Sequence, residues 1–140
     1  MSDSLHFPSA PQPAPSRSIL LVDDRDFERF TIRAAIEGLT EFRVCGEASN
    51  GVEAIQKARE LKPDLIVMDL AMPVMNGLEA SSVLKNALPE VPIVLLTLYA
   101  EQLEETLSAA NGVATVLSKV DGLASLLDCL GKMLGTPRAV

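Results

Sequence analysis

A doubly wound, five-stranded parallel α/β sheet with helices on both faces is the fold this sequence predicts, and three observations predict it. Five short apolar runs alternate with five stretches of helical periodicity, the pattern of successive strand-helix-strand units. The runs are aliphatic along their length with no polar partner face, as suits strands buried on both sides. The connections are short and punctuated by Gly, Pro and Asn, and chain chirality makes the crossovers right-handed.

The elements follow in order. Residues 1–17 carry Pro8, Pro11, Pro13 and Pro15 among serines and alanines and read as a disordered Pro/Ser-rich tail, too poor in apolar surface to offset ordering. The tail has no apolar core of a secretory signal, and it holds His6, the lone histidine. Ser18 to Val22 is the first strand, stopping on Asp23-Asp24. Arg25 to Gly38 is a predicted helix with Phe27, Phe30, Ala34 and Gly38 at helical spacing and Gly38 as its stop. Phe42 to Ala48 is the second strand. Ser49-Asn50-Gly51 then turns into a helix from Val52 to Leu61, with Val52, Ile55 and Ala58 on one face.

Leu65 to Met68 is the third strand, and it ends on Asp69. Lys62-Pro63-Asp64 breaks the chain before it, and Met72-Pro73 with Asn76-Gly77 turns the chain after it. Gly77 to Leu88 is helical in pattern, with Leu78, Ser81, Leu84 and Leu88 in register, and Pro89 and Pro92 bracket the break that follows. Ile93 to Leu96 is the fourth strand, ending at Thr97. Tyr99 to Ala110 is a weakly amphipathic fourth helix closed by Asn111-Gly112. Val113 to Ser118 is the fifth strand, ending at Lys119. Asp121 to Leu134 repeats Leu123, Leu126, Leu127, Leu130, Met133 and Leu134 and is the clearest helix. Residues 18–134 thus form one domain, and 135–140 a C-terminal tail.

Composition narrows the function. With 140 residues, 48% of them hydrophobic and 4% aromatic, the chain has room for one aliphatic core and no second domain. A net charge of -7 argues against nucleic acid or anionic lipid as a partner of this chain. No apolar run reaches membrane-spanning length. Cys45 and Cys129 lie far apart in apolar segments, so they read as buried reduced thiols in a cytoplasmic protein.

The informative pattern is that four of the five strands end on a polar residue capable of chemistry: Asp23-Asp24, Asp69, Thr97 and Lys119. In a parallel sheet those ends share one edge, where open α/β folds bind their ligands. Read singly, Asp23-Asp24 would be a helix N-cap pair, Asp69 a cap or a solvated loop acid, Thr97 an ordinary strand-end hydroxyl and Lys119 a solvated charge. Together they bring three carboxylates, a hydroxyl and an ammonium to one place. Close carboxylates repel one another unless a cation offsets them, and an oxygen-rich cluster without His or Cys suits Mg²⁺, or Mn²⁺, rather than zinc. A metal beside a carboxylate, facing a hydroxyl and a lysine, is what phosphoryl transfer uses, with Asp69 as the candidate nucleophile.

These elements resemble the receiver domain of two-component response regulators. The matching stretches are Ile19-Leu20-Leu21-Val22-Asp23-Asp24, the run from Pro63 through Asp69 and Pro73 to Gly77, Ile93-Val94-Leu95-Leu96-Thr97, and a strand ending at Lys119. Asn50-Gly51-Val52-Glu53-Ala54 and Gly77-Leu78-Glu79-Ala80 are most similar to receivers of the NarL type. The resemblance implies a flavodoxin-like sheet in strand order 2-1-3-4-5 and a phosphoryl group accepted on Asp69 from a histidine kinase or phosphotransfer protein. It implies Mg²⁺ on Asp23, Asp24, Asp69 and the backbone carbonyl of Ala71, with Thr97 and Lys119 on the phosphoryl oxygens. Output is expected through the fourth helix, fifth strand and fifth helix, to a downstream protein or a second copy. No enzymatic activity is expected beyond phosphorylation and dephosphorylation at Asp69.

Three departures bear on switching. Val116 stands where the family usually has a Tyr or Phe that reports the state. Leu98 replaces a usually small residue beside the site. Val120 follows Lys119 where many receivers have proline, so a trans peptide is expected. Readout is therefore expected through Thr97, Leu98 and Tyr99 at the start of the fourth helix. Only residues 135–140 follow the last helix, which reads as a stand-alone receiver. The alternatives are the receiver half of a DNA-binding transcription regulator, a pseudo-receiver that binds partners unphosphorylated, and a phosphatase of the haloacid dehalogenase type. Ala71 stands where that last family wants a second acid.

Overall fold

The computed structural model describes residues 17–98 and 112–135. The predicted N-terminal tail apart from Arg17, the predicted fourth helix with Tyr99, and the C-terminal tail beyond Gly135 lie outside the described residues. The described chain runs β1 (Ser18–Val22), α1 (Asp26–Leu39), β2 (Arg43–Ala48), α2 (Gly51–Leu61), β3 (Leu65–Asp69), α3 (Gly77–Ala87), β4 (Ile93–Thr97) and β5 (Thr115–Ser118). A single 3₁₀ turn (Lys119–Asp121) then leads into the C-terminal helix (Gly122–Leu134). The five strands form one parallel sheet in the order β2-β1-β3-β4-β5.

Strand alternation splits the core in two, because successive side chains face opposite sides of the sheet. Ile19, Leu21, Leu65, Val67, Val94 and Leu96 pack against Ile32 and Ile36 of α1 and Leu126, Leu130 and Leu134 of the C-terminal helix. Leu20, Val22, Ile66, Met68, Ile93 and Leu95 pack against Ala54 and Ala58 of α2 and Ala80 and Leu84 of α3. β1, β3 and β4 are buried at every position, as their unbroken apolar runs require. No helix among the described residues is long and apolar enough to cross a membrane.

α1 is rolled differently from the sequence expectation, and α2 departs from it at one residue. On α1, Phe27 and Phe30 are 81% and 68% exposed, while Ile32 and Ile36 face the core. The helix carries two apolar stripes, and its polar contacts choose between them. Arg29 and Arg33 both pair with Glu47 of β2, and Glu28 pairs with Lys119, which turns the phenylalanines outward. Gly38 does not stop α1 either. The helix runs on to Leu39, and Thr40 closes it through its N–H and hydroxyl, both donating to the Ile36 carbonyl. On α2 the fully buried residues are Gly51, Ala54 and Ala58; Ile55 packs against the same core as expected, and Val52 is exposed at the rim, because small residues let that helix lie close to the sheet. Cys45 and Cys129 are free thiols, half-buried rather than buried.

The loop after β3 is held from two sides. Met75 accepts a backbone hydrogen bond from Gly51 N–H at 2.9 Å, and Leu70 accepts one from Gly77 N–H at 2.9 Å. Both glycines are needed for this approach: a Cβ at Gly77 would stand 2.4 Å from the Asp69 carbonyl oxygen, and one at Gly51 would stand 2.7 Å from the Met75 carbonyl oxygen. At the tip, Val74 takes the left-handed conformation with φ of 69°, a strained one for a β-branched residue. Asn76 then starts α3 with a reciprocal capping box to Glu79, which fixes the helix start. Gly77→Ala is expected to cost about 2 kcal/mol of stability in urea denaturation, because backbone rather than a flexible side chain must give way. A loss below about 0.5 kcal/mol, the level of an ordinary surface change, would show that the loop yields.

Candidate functional site

Each site residue is placed by the end of a strand. Asp23 follows the last residue of β1 and keeps the ladder going, its N–H donating to the Ala48 carbonyl at 3.0 Å. Its Oδ1 accepts from the Arg25 N–H at 2.9 Å, and its carbonyl accepts from Arg29 Nη1 at 2.5 Å. Asp69 is the last residue of β3, paired in register with Leu96 of β4, so Thr97 stands one residue beyond it on the neighbouring strand. β5 ends at Ser118, and Lys119 opens the 3₁₀ turn, whose first N–H groups are capped by the Ser118 hydroxyl accepting from Val120 N–H.

These ends converge. Carboxylate oxygens of Asp23, Asp24 and Asp69 all lie within 4.8 Å of one another, with Asp23 and Asp69 buried and Asp24 exposed. Lys119 Nζ lies 3.0 Å from Asp69 Oδ1 and 2.7 Å from Glu28 Oε1. Thr97 is buried at the end of β4. Ala71 is exposed in an open depression it lines with Asp24, Leu70, Met72 and Asn76. Of the residues expected to take part in readout, Val116 is buried on β5 opposite Leu95, Leu98 is 57% exposed, and Tyr99 lies outside the described residues. No cis peptide bond occurs among the described residues, Lys119-Val120 included.

The electrostatics follow from burying so much negative charge. Asp23 is 1% exposed; burial, and after it the neighbouring Glu28 carboxylate, push its carboxyl up to about 7, against the pull of the Arg25 N–H. The same pairing holds Glu28 below its ordinary range, with Lys119 helping. Burial raises Asp69 too, and Lys119 opposes the rise. At Lys119 burial works against the charge, but Glu28 and Asp69 outweigh it and hold the ammonium above its ordinary value. Asp23 Oδ2 is buried with no hydrogen-bond partner among the described residues. Such an oxygen needs a proton or a cation, and an all-oxygen trio around it suits a hard divalent ion.

Sequence reasoning missed Glu28. It sits in the charged first turn of α1, which reads as a solvated face, and its lysine partner is 91 positions away. No local pattern reports a contact of that span. The clamp of Gly51 and Gly77 on the loop after β3 was legible only as turn chemistry.

A 2-1-3-4-5 sheet with an acidic trio and a lysine at its carboxyl edge defines a doubly wound α/β domain with a candidate phosphoryl-transfer site. A family model for the response regulator receiver domain matches residues 19–130, and the chain belongs to that family. It is 37% identical over 114 residues to the response regulator protein VraR of Staphylococcus epidermidis, covering 81% of this chain and 54% of that protein. The chain thus spans about half the length of the curated relatives it matches. Among solved structures it resembles the response regulator domain of Thermotoga maritima CheB, with a TM-score of 0.75 and 28% identity over 89% of this chain and 100% of that one. It also resembles a LuxR-family two-component response regulator from Aurantimonas, with a TM-score of 0.77 and 29% identity over 90% of each chain. Phosphoryl acceptance is the general role of receivers, which are signalling modules rather than classical enzymes and generally bind Mg²⁺ through acidic residues.

Proposed function

We propose that this chain accepts a phosphoryl group on Asp69 from a histidine kinase or phosphotransfer protein and signals through phosphorylation-dependent protein contacts in the cytoplasm. The observation that carries the reading is the buried Asp69 carboxylate, with Lys119 Nζ at 3.0 Å and two further carboxylates within 4.8 Å. An Asp69 oxygen attacks the phosphorus, the new P–O bond forms as the P–N bond to the donor imidazole breaks, and the nitrogen leaves with the electron pair. Lys119 and the Thr97 hydroxyl donate to the phosphoryl oxygens as charge spreads over them. Asp23, Asp24, Asp69 and the Ala71 carbonyl would hold Mg²⁺. When bound, the ion supplies the charge neutralisation that lets a phosphoryl group approach three carboxylates.

Readout through Thr97, Leu98 and Tyr99 suits this chain, since Val116 cannot act as an aromatic toggle. Output to a downstream protein or a second copy would run through β5 and the C-terminal helix, together with the stretch whose sequence predicts a fourth helix. A second reading, in which this receiver controls a DNA-binding output within a longer regulator, is favoured by the 54% coverage of VraR. Intact-mass spectrometry after acetyl phosphate and Mg²⁺ tests the main reading. The wild-type chain is expected to gain one phosphoryl mass and Asp69→Asn none. No gain in the wild type, or the same gain in the variant, would sink it.

A further inference from the structure

One ammonium serves two acids in this site. Lys119 Nζ lies 3.0 Å from Asp69 Oδ1 but 2.7 Å from Glu28 Oε1, so the shorter contact is to the residue outside the sheet edge. Glu28 is anchored for this by the first turn of α1, and Arg25 Nη1 lies 3.7 Å from its other oxygen. The acids whose oxygens converge on one another are Asp23, Asp24 and Asp69. Glu28 is not one of those three, and its Oε1 faces the lysine that also meets Asp69.

We propose that Glu28 is a positioning residue for Lys119 and an electrostatic brake on the phosphoryl group: it holds the ammonium at Asp69 while its own charge opposes the anion that must share that ammonium. The inference rests on the reading of Asp69 as phosphoacceptor. A lysine ammonium has three protons to donate, so a phosphoryl oxygen either takes a remaining one or displaces Glu28. In both cases the Glu28 carboxylate lies one lysine away from the added oxygens, and like charges that close in a half-buried site repel. The same carboxylate favours a divalent cation at the trio. Glu28 therefore works in opposite senses on the two ligands.

Glu28→Gln keeps an acceptor for Lys119 and removes the charge. With Mg²⁺ titrated alone, the variant is expected to bind the ion about fivefold more weakly. With Mg²⁺ saturating and beryllofluoride titrated as the phosphoryl probe, it is expected to bind about fivefold more tightly. Glu28→Asp, which restores the charge, is expected to return both affinities toward wild type. A residue that merely supported the fold would weaken both ligands together, so parallel weakening, or no change in beryllofluoride affinity, overturns the role of Glu28. Failure of the wild-type chain to bind beryllofluoride overturns the phosphoacceptor reading itself, and this inference with it.

Discussion

Replacing Lys119 with Met is expected to lower the unfolding free energy at pH 7.5, without divalent cation, by about 3 kcal/mol, the scale of breaking a buried charge pair from one side. Met keeps the length and apolar stem of the side chain and removes the ammonium. What remains is Glu28 and Asp69, both of which had been paired with that ammonium, beside Asp23 and Asp24. Desolvated carboxylates with no counter-charge recover only by taking protons or a cation. The deficit should therefore shrink when the urea denaturation is repeated at pH 5, and shrink again at pH 7.5 with Mg²⁺. A loss below about 1 kcal/mol at pH 7.5 is what an exposed surface pair would give, and it would show that Lys119 is not the balancing charge of the site.

The wild-type chain is expected to lose stability as pH rises through neutrality, the reverse of ordinary acid denaturation. The Asp23 carboxyl is raised from 3.8 to about 7, so between those values the folded state binds more protons than the unfolded one. The stability this contributes is fully present below about pH 4 and gone once pH passes 7, and it is worth up to about 4 kcal/mol. Asp69, also raised, acts in the same sense. Glu28 is lowered and acts in the opposite one, its contribution being lost on acidification. The net fall from pH 4.5 to 7.5 is expected to be about 3 kcal/mol, a drop in Tm of about 10 °C for a domain of this size. Mg²⁺ at pH 7.5 should restore most of it, because the ion binds the deprotonated folded site and not the unfolded chain. A Tm that stays level across this range without Mg²⁺ would contradict a desolvated Asp23.

Most of the fold was legible because it is written in contiguous residues. Leu65 to Met68 could be read as a buried strand without knowing its neighbours, and Asp69 stood out because it interrupts an apolar run. The acids and the lysine could be brought together because parallel strands share an edge. Helix roll was not legible in the same way. The Phe27 and Phe30 stripe on α1 has the right period, and periodicity cannot choose between two stripes on one helix. The choice was made by Glu47 on β2, which holds Arg29 and Arg33; on α2 only Val52 was misplaced, left at the rim by the close approach that Ala54 and Ala58 permit. Glu28 was hidden for the same reason: its role depends on the roll of α1.

The glycines at the starts of α2 and α3 reach the same loop from opposite ends. Gly77 lies on the carbonyl of Asp69, and Gly51 lies on Met75. A side chain at Gly77 would press on Asp69 where the loop begins and one at Gly51 on Met75 near its end, so a substitution at either glycine is expected to strain the segment between them.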